Sequence, residues 1–393
     1  MPSRPVVRSP VRGVVRTPLK TGLLLPLAHL PLITNTSLLV GIGSETFTRT
    51  NPVATFLSMD TGLITLAGTD VARFEAGGLL IEGQSTNLLL HSEALDNAIW
   101  QKQLSASVTA DQVVAPDGNI TADLIDISGN NLSRVLQQIL SEVLTEYNAS
   151  SWLRSISGTG FYPIAGFNGN TRVGDTTLFL TETMVRFSIV FPMHSVQTDG
   201  GYYPGNRQAA GGGSPIFQAY AWGHQLEKID FTTSYIPTGS STVTRSTDSL
   251  DIDVANIPPP VQPYTVSMTC DFTAETETNQ VLFNVEGETT RSIRWDTSVP
   301  DTLILATHGA VTSTSTSFFS MGQSVKVAFV VDATKQTLYI NAVQEDQDTK
   351  GTVTGTATAV NIGHAANADQ AYGHIKNFKT FDVALTQDQV NAL

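Results

Sequence analysis

The sequence predicts a mainly β protein, with two antiparallel β-sandwich domains in tandem behind an extended N-terminal arm. Three observations carry that expectation. From about Phe47 onward, short β-branched and aromatic runs alternate with Gly, Asn, Asp and Pro, the rhythm of all-β domains. The segment DVANIPPPVQPYT breaks that rhythm, and its clustered prolines cannot sit in a central strand. Finally, 393 residues exceed what a single core serves. The expected divisions are 1–45 for a basic arm and apolar attachment segment, 46–252 for the first sandwich, 253–263 for a Pro-rich linker and 264–393 for the second sandwich.

The arm, RPVVRSPVRGVVRTPLK, places Arg4, Arg8, Arg12, Arg16 and Lys20 at every fourth position, and no acidic residue precedes Glu45. Spacing of four would align these cations along a helix. Pro5, Pro10, Pro18, Gly13 and the Val pairs disfavour one, so an extended strand is expected. The whole chain carries −13; without the five arm cations, 17 basic residues stand against 35 acidic ones, or −18. A body so negative is repelled by nucleic acid and by anionic membranes, and nucleic acid is set aside as a partner. The arm reads instead as a docking peptide for an acidic protein surface. Exposed ion pairs contribute about 0.2–1 kcal/mol each, so firm attachment needs main-chain pairing or several copies acting together. A homo-oligomer is expected, with a homotrimer favoured. The next stretch, TGLLLPLAHLPLITNTSLLVGIG, is apolar but is interrupted by Pro26, His29, Pro31 and TNTS. No run approaches the roughly 20 residues of a membrane span, so a soluble, unprocessed chain without membrane insertion is expected.

Within the first sandwich, GLLIE and NLLL flank a polar turn, and SASVTADQVVAPDGNITADLIDI alternates around the turn APDGN. MVRFSIVF and FQAYAWGHQLE read as strands. RVLQQILSEVLTEYN is the one amphipathic helical pattern of any length, in a setting where strands can absorb it. In the second sandwich, TVSMTCDFTA, NQVLFNVEG, SIRWDT, DTLILATH, SVKVAFVVDA, QTLYINAVQ and AVNIGHA follow at short spacing. The chain closes on a strand and a short helix capped by Thr386, with Gln389 three residues later. The single Cys270 excludes an intramolecular disulfide framework and a thiolate metal cage.

The block FTRTNPVATFLSMDTGLITLAGTDVARFEAGGLLIEGQSTNLLLHSEALDNAIW resembles phage structural proteins of the head-spike or tail-fibre type. APDGNITADLI and AYAWGHQLEKIDFTTSYIPTGSSTVTRSTD continue the same pattern, so the resemblance covers roughly residues 46–250. It implies a jelly-roll domain similar to carbohydrate-binding modules. The C-terminal VKVAFVVDATKQTLYINAV, VNIGHA and YGHIKNFKTFDVALTQDQV look like the laminin-G or concanavalin-like sandwich, with Ala342 where that pattern usually has Gly. The resemblance implies a virion protein whose arm binds other virion proteins of the capsid or of the tail and portal complex. Residues 1–45 match neither pattern.

No convincing catalytic set emerges, and a non-enzymatic protein is expected. Retaining glycoside cleavage needs two carboxyls about 5–5.5 Å apart. The nearest candidates are Glu286 and Glu288 in VEGE, on one face of a strand, and Glu345, Asp346 and Asp348 in QEDQD, at an expected hairpin turn. The seven histidines show no zinc spacing, and in HQLE a strand would point His224 and Glu227 to opposite faces. No cofactor is expected, and calcium in the acidic loops of the second sandwich lacks EF-hand-like spacing. Sugar binding asks only for exposed aromatic faces flanked by amides and carboxylates. The candidates are Trp152, Tyr162, Tyr202 and Tyr203, with Asn168, Asn170 and Arg172 nearby, set against a core or subunit-contact role. Trp100 and Trp222 read as core anchors and Trp295 as a weaker sugar candidate. The expectation is a virion fibre, spike or adhesin displaying sandwiches for host-surface glycan attachment. The alternatives are a capsid decoration or cement protein and a polysaccharide-degrading tail enzyme.

Overall fold

The computed structural model describes residues 28–30, 40–41, 45–51, 53–139, 145–168, 171–193, 200–206, 215–274, 279–296, 303–365 and 369–393. The five arm cations lie outside them. Among the described residues no helix is long and apolar enough to cross a membrane.

Period-2 alternation builds the C-terminal sandwich. In the strand Tyr264–Phe272, Tyr264, Val266, Met268, Cys270 and Phe272 all enter one core. Val325, Val327, Phe329 and Val331 do the same from the neighbouring strand Val325–Val331. The other face of that neighbour is also buried, because Ala328 and Val330 pack with Tyr339, Phe381, Leu385 and Val390 under the terminal helix Gln387–Asn391. This cover explains the unbroken apolar run VAFVV. Thr386 caps the helix through the capping box expected with Gln389. The hairpin between Lys335–Ile340 and Val343–Thr349 keeps its tight turn, with positive φ at Asn341 (49°) and at Ala342 (67°) despite the missing Gly. Burial pushes the Cys270 thiol well above its usual range, and the cysteine is free.

The first sandwich packs two five-stranded antiparallel sheets around Trp100, Ile125, Tyr147, Leu153, Ile164 and their neighbours. The helical pattern at 134–148 is absorbed into strands Arg134–Ile139 and Thr145–Ser155, which lie in opposite sheets. Tertiary pairing overrides the 3.6-residue period here. Thr145–Ser155 is flanked by Val185–Met193 on one side and Gln218–Glu227 on the other, and Tyr147, Ala149 and Leu153 alternate into the core.

The division drawn at 252 and 264 does not separate two independent sheets. Glu45–Thr48 pairs with Ser249–Ile252, which pairs with Gly355–Ile362 deep in the C-terminal sandwich. Gly78–Ile81 and Ala28–Leu30 both pair with Gly373–Phe381 in the opposing sheet. Ile257, within the expected linker, enters the C-terminal core, and the Pro258 carbonyl accepts from Arg291 Nη1 at 2.6 Å. The first sandwich is therefore an excursion from the second. Its neck is the two-stranded ladder of Ser85–Asn87 and Val243–Arg245.

Buried charge joins the two sandwiches beside that neck. Arg49, Arg73 and Arg245 have fully buried side chains. Asp248 pairs with Arg49 at 3.0 Å and also with Arg73. Glu82 pairs with Arg73 at 2.8 Å and Arg245 at 2.9 Å. The Ser234 N–H and Oγ donate to Glu82 at 2.8 and 2.6 Å. Burial alone would raise the Glu82 carboxyl, but Arg245 and Arg73 outweigh it and hold it down to about 2. Removing one partner of such a set strands a buried charge. Asp248→Ala is expected to cost about 3–5 kcal/mol of unfolding free energy in urea titrations, and a loss below about 1 kcal/mol would mean that Asp248 does not anchor the junction.

Candidate functional site

Between the Arg49 and Val71 positions, the chain leaves both sandwiches to form a separate flap. Among the described residues, strands Ala54–Leu57 and Ile64–Ala67 pair only with each other, joined by a turn containing Gly62 at φ 68°. Arg49 clasps the base: its Nη2 donates to the Gly68 and Val71 carbonyls at 2.8 Å each, and its N–H donates to Asp70 at 2.8 Å. Four hydrogen bonds among the described residues tie its two strands down. The Ile64 N–H donates to the Pro116 carbonyl (2.9 Å), Thr55 Oγ1 to the Tyr235 carbonyl (2.6 Å), the Leu57 N–H to Glu75 (2.8 Å) and Arg73 Nη1 to the Thr55 carbonyl (3.0 Å).

Under the flap lies an aromatic floor. Trp152, Trp222 and Tyr235 meet edge-to-face or tilted, with ring centroids 5.0–5.4 Å apart. Gly223, at φ 63°, permits this packing, since a Cβ there would lie 2.8 Å from the Trp152 ring. The Arg186 guanidinium sits 4.6 Å above Trp152.

Above the floor is a cavity of about 430 Å³ lined by Thr55, Glu93, Asp117, Asn119, Trp222 and Tyr235, among others. Its polar groups are held in place. The Thr238 N–H donates to Ser92 Oγ (2.8 Å), which lies 2.7 Å from the Tyr235 hydroxyl, and that hydroxyl donates to Glu93 Oε1 (3.1 Å). This chain of donors ends on the carboxylate. Burial raises the Glu93 carboxyl, with Asp117 adding to the rise and the Tyr235 bond opposing it. Asp117 accepts from the Asn119 backbone at 3.0 Å and side-chain amide at 2.8 Å, which fixes both on the APDGN turn. The indole Nε1 of Trp222, a residue 1% exposed, has no hydrogen-bond partner among the described residues.

A second lobe of about 190 Å³ adjoins the first across Thr55, Ile64 and Tyr235 and reaches Trp152, Arg186 and His374. His374 bridges two carboxylates, with Nδ1 2.8 Å from Asp271 and Nε2 3.2 Å from Glu75. Burial pulls His374 down, but the hydrogen bonds and charges of Asp271 and Glu75 more than offset it and raise it to about 9.

The four aromatic candidates are all buried, which corrects their reading as open sugar platforms. Tyr162 and Tyr202 are fully buried in the core of the first sandwich, and Tyr203, 5% exposed, packs 4.5 Å from Phe167. GYYPGN, whose Gly, Pro and Asn signal a turn, belongs to the strand Gly200–Asn206, central in its sheet, so its aromatic residues are enclosed. Trp152 alone reaches the flap cleft, as part of its floor. Asn168 is buried, Arg172 pairs with Asp175 at 3.2 Å, and Asn170 lies outside the described residues. Trp100 and Trp222 are buried as expected; Trp295 is fully buried in the C-terminal core and offers no sugar face.

The acidic candidates are also accounted for. A bulge at Gly287 (φ 79°) interrupts the alternation between Glu286 and Glu288, and Glu288 is locked to Arg291 at 2.9 Å. QEDQD is strand, not turn. Glu345 accepts from the backbone and hydroxyl groups of Thr316 and Ser317, Asp346 from the Thr314 N–H (2.9 Å) and Asp348 from Ser313 Oγ (2.8 Å). These bonds pin the neighbouring edge segment and lower the Glu345 carboxyl against the effect of burial. His224 and Glu227 are both fully buried. Burial lowers His224 to about 3. Ser249 and Asp251 both approach the same nitrogen of His364, at 2.9 and 3.1 Å, so the trio lacks the relay of a Ser-His-Asp set. No group of three or more His, Cys, Asp or Glu that could hold a metal occurs among the described residues.

Sequence reasoning missed Glu93, Asp117, Asn119 and Tyr235. Their only signal was membership of the recurring blocks, which carry no spacing that reveals convergence.

Residues 244–391 match the family described as the concanavalin A-like lectin/glucanases superfamily. The C-terminal sandwich thus has the concanavalin-like fold expected from its sequence, and the strands at 45–48 and 78–81 that extend its sheets lie outside the match. Among curated proteins none matches. Similar solved structures include a heptameric SAP-like pentraxin from Limulus polyphemus (16% identity, TM-score 0.28, 33% of this chain and 69% of that chain). Another is domain 4 of AbnA, a GH43 extracellular arabinanase from Geobacillus stearothermophilus, in complex with arabinotriose (18%, TM-score 0.30, 42% and 82%). A third is the CBM40 of a Ruminococcus gnavus IT-sialidase bound to α2,3-sialyllactose (18%, TM-score 0.29, 34% and 82%).

The raised pKa of His374 sets a pH dependence. Its contribution is fully present below the unfolded value of about 6.5 and is lost as pH rises through about 9. Wild-type stability is expected to fall by about 3 kcal/mol across that window, and His374→Gln should flatten the fall in urea titrations at several pH values. An unchanged slope in the variant would assign the pH dependence elsewhere.

Proposed function

We propose that this chain is a non-enzymatic virion protein of the fibre, spike or adhesin type, which binds host-surface glycan in the flap cleft. One observation carries the reading: the three blocks that resemble phage structural proteins, distant in sequence, converge on this cleft. The first supplies the flap, Arg49, Arg73, Glu82 and Glu93; APDGN supplies Asp117 and Asn119; the third supplies Trp222, Tyr235, Arg245 and Asp248. Acceptors and donors fixed around a cavity within the usual ligand-site range of about 300–1,000 Å³ suit a hydroxyl-rich ligand. The lectin-type fold matched at 244–391 is consistent with it. The non-enzymatic reading rests on the splitting of the Glu286 and Glu288 pair and on the structural engagement of Glu345, Asp346 and Asp348.

In this proposal Arg4, Arg8, Arg12, Arg16 and Lys20 dock the protein to an acidic surface of the capsid or tail complex. A homotrimer supplies the multivalency that individually weak exposed pairs require. A capsid decoration protein without glycan binding is the second reading, favoured by the near-complete cover of Trp222 and Tyr235, each 1% exposed.

Two measurements separate these readings. On a glycan array, the wild type should give saccharide hits that fall at least about tenfold in apparent affinity with Asp117→Ala plus Asn119→Ala, about the cost of two lost polar contacts. No hits at all would favour the decoration reading. Deletion of residues 1–21 should abolish incorporation into particles, and normal copy number in its absence would overturn the docking role.

A further inference from the structure

The charge around the larger cavity is one-sided. Glu93 and Asp117 line it, and among the described residues no Lys, Arg or His does. Neither carboxylate takes part in an ion pair among the described residues. The nearby cations are engaged elsewhere. Arg73 and Arg245 are held by Glu82 and Asp248, and Arg186 donates to the Thr233 carbonyl and Ser150 Oγ at 2.7 and 2.9 Å.

We propose, on the footing that the cleft binds saccharide, that it selects an amine-bearing sugar and rejects acidic ones. The donor chain through Ser92 and Tyr235 delivers a hydrogen bond to Glu93 Oε1, the arrangement that favours an ionised acceptor there. Glu93 Oε2 has no hydrogen-bond partner among the described residues, so an ammonium group has a carboxylate oxygen to meet. Asp117, lining the same cavity, adds a second negative charge on the turn that also carries Asn119 for a neighbouring hydroxyl. A cation between them relieves the like-charge repulsion that helps raise Glu93. A uronate or sialate would instead bring a third negative charge into a partly desolvated site, and such like-charge contacts discriminate strongly. Calcium is a poorer occupant, because two carboxylates fall short of the six to eight oxygen ligands it takes.

The test is isothermal titration of the full chain with three disaccharides at pH 7: a glucosamine disaccharide with free amines, its N-acetylated form and a glucuronate-containing one. The free-amine sugar is expected to bind at least about tenfold tighter than the N-acetylated sugar, with the uronate weakest. Glu93→Gln with Asp117→Asn should collapse the amine preference to within about threefold. A second measurement needs no variant: lowering the pH toward 4 protonates Glu93 and should weaken free-amine binding more than N-acetyl binding. Equal or tighter binding of the uronate, or an amine preference that survives both the double variant and acid, overturns this selectivity while leaving glycan binding intact. Binding of no saccharide on a broad array overturns the glycan reading, and this inference with it.

Discussion

Three arginines and two carboxylates closed off from water impose the main constraint on this fold. Isolated, each would carry a desolvation cost of several kcal/mol. Together, Arg49, Arg73 and Arg245 share Asp248 and Glu82, and their Nη groups also reach backbone carbonyls: Gly68 and Val71 from Arg49, Thr55 from Arg73 and Gly83 from Arg245. Glu227 extends the set through Thr233, whose hydroxyl donates to it at 2.5 Å and accepts from Arg245 at 3.2 Å. Those carbonyls belong to the flap, to its base and to the segment leading into the neck. The ion network therefore dictates where the flap lies and how the first sandwich leaves the second.

The cleft depends on that placement at every wall. Arg49 holds the two ends of the flap together, and Arg73 holds its first strand from below. Ser234, which donates to Glu82, is chain neighbour to Tyr235, whose hydroxyl orients Glu93. A site on a loop is ordinarily the least precise place for recognition chemistry. Here the loop is cinched by buried charge, so the polar groups keep fixed positions with little regular sheet around them.

Much of the architecture was legible from residues alone. The second sandwich follows from alternating runs such as YTVSMTCDF, and Thr386 with Gln389 marks the final helix correctly. The excursion was not legible, because its evidence is the pairing of Glu45–Thr48 with Ser249–Ile252, and of that strand with Gly355–Ile362, across separations that leave no local pattern. Tyr202 and Tyr203 misled for a related reason. Gly, Pro and Asn around them signal a turn, yet Gly200–Asn206 is enclosed by strands on both sides, and enclosure is a tertiary fact. Trp152 was found for its aromaticity, while Glu93 and Asn119 look like any solvated residue until the fold unites them.

The nested topology also orders events during synthesis. Glu45–Thr48 cannot complete its sheet until Ser249–Ile252 and Gly355–Ile362 have left the ribosome. At about 5–20 residues per second, this strand waits on the order of tens of seconds for the sheet to be completed. The inner lobe, whose two ends meet at the neck, has all its strands well before then. Nascent chains thus carry a finished inner lobe flanked by an unfinished outer one, and the apolar strands at 45–81 are the segment a chaperone would have to shelter.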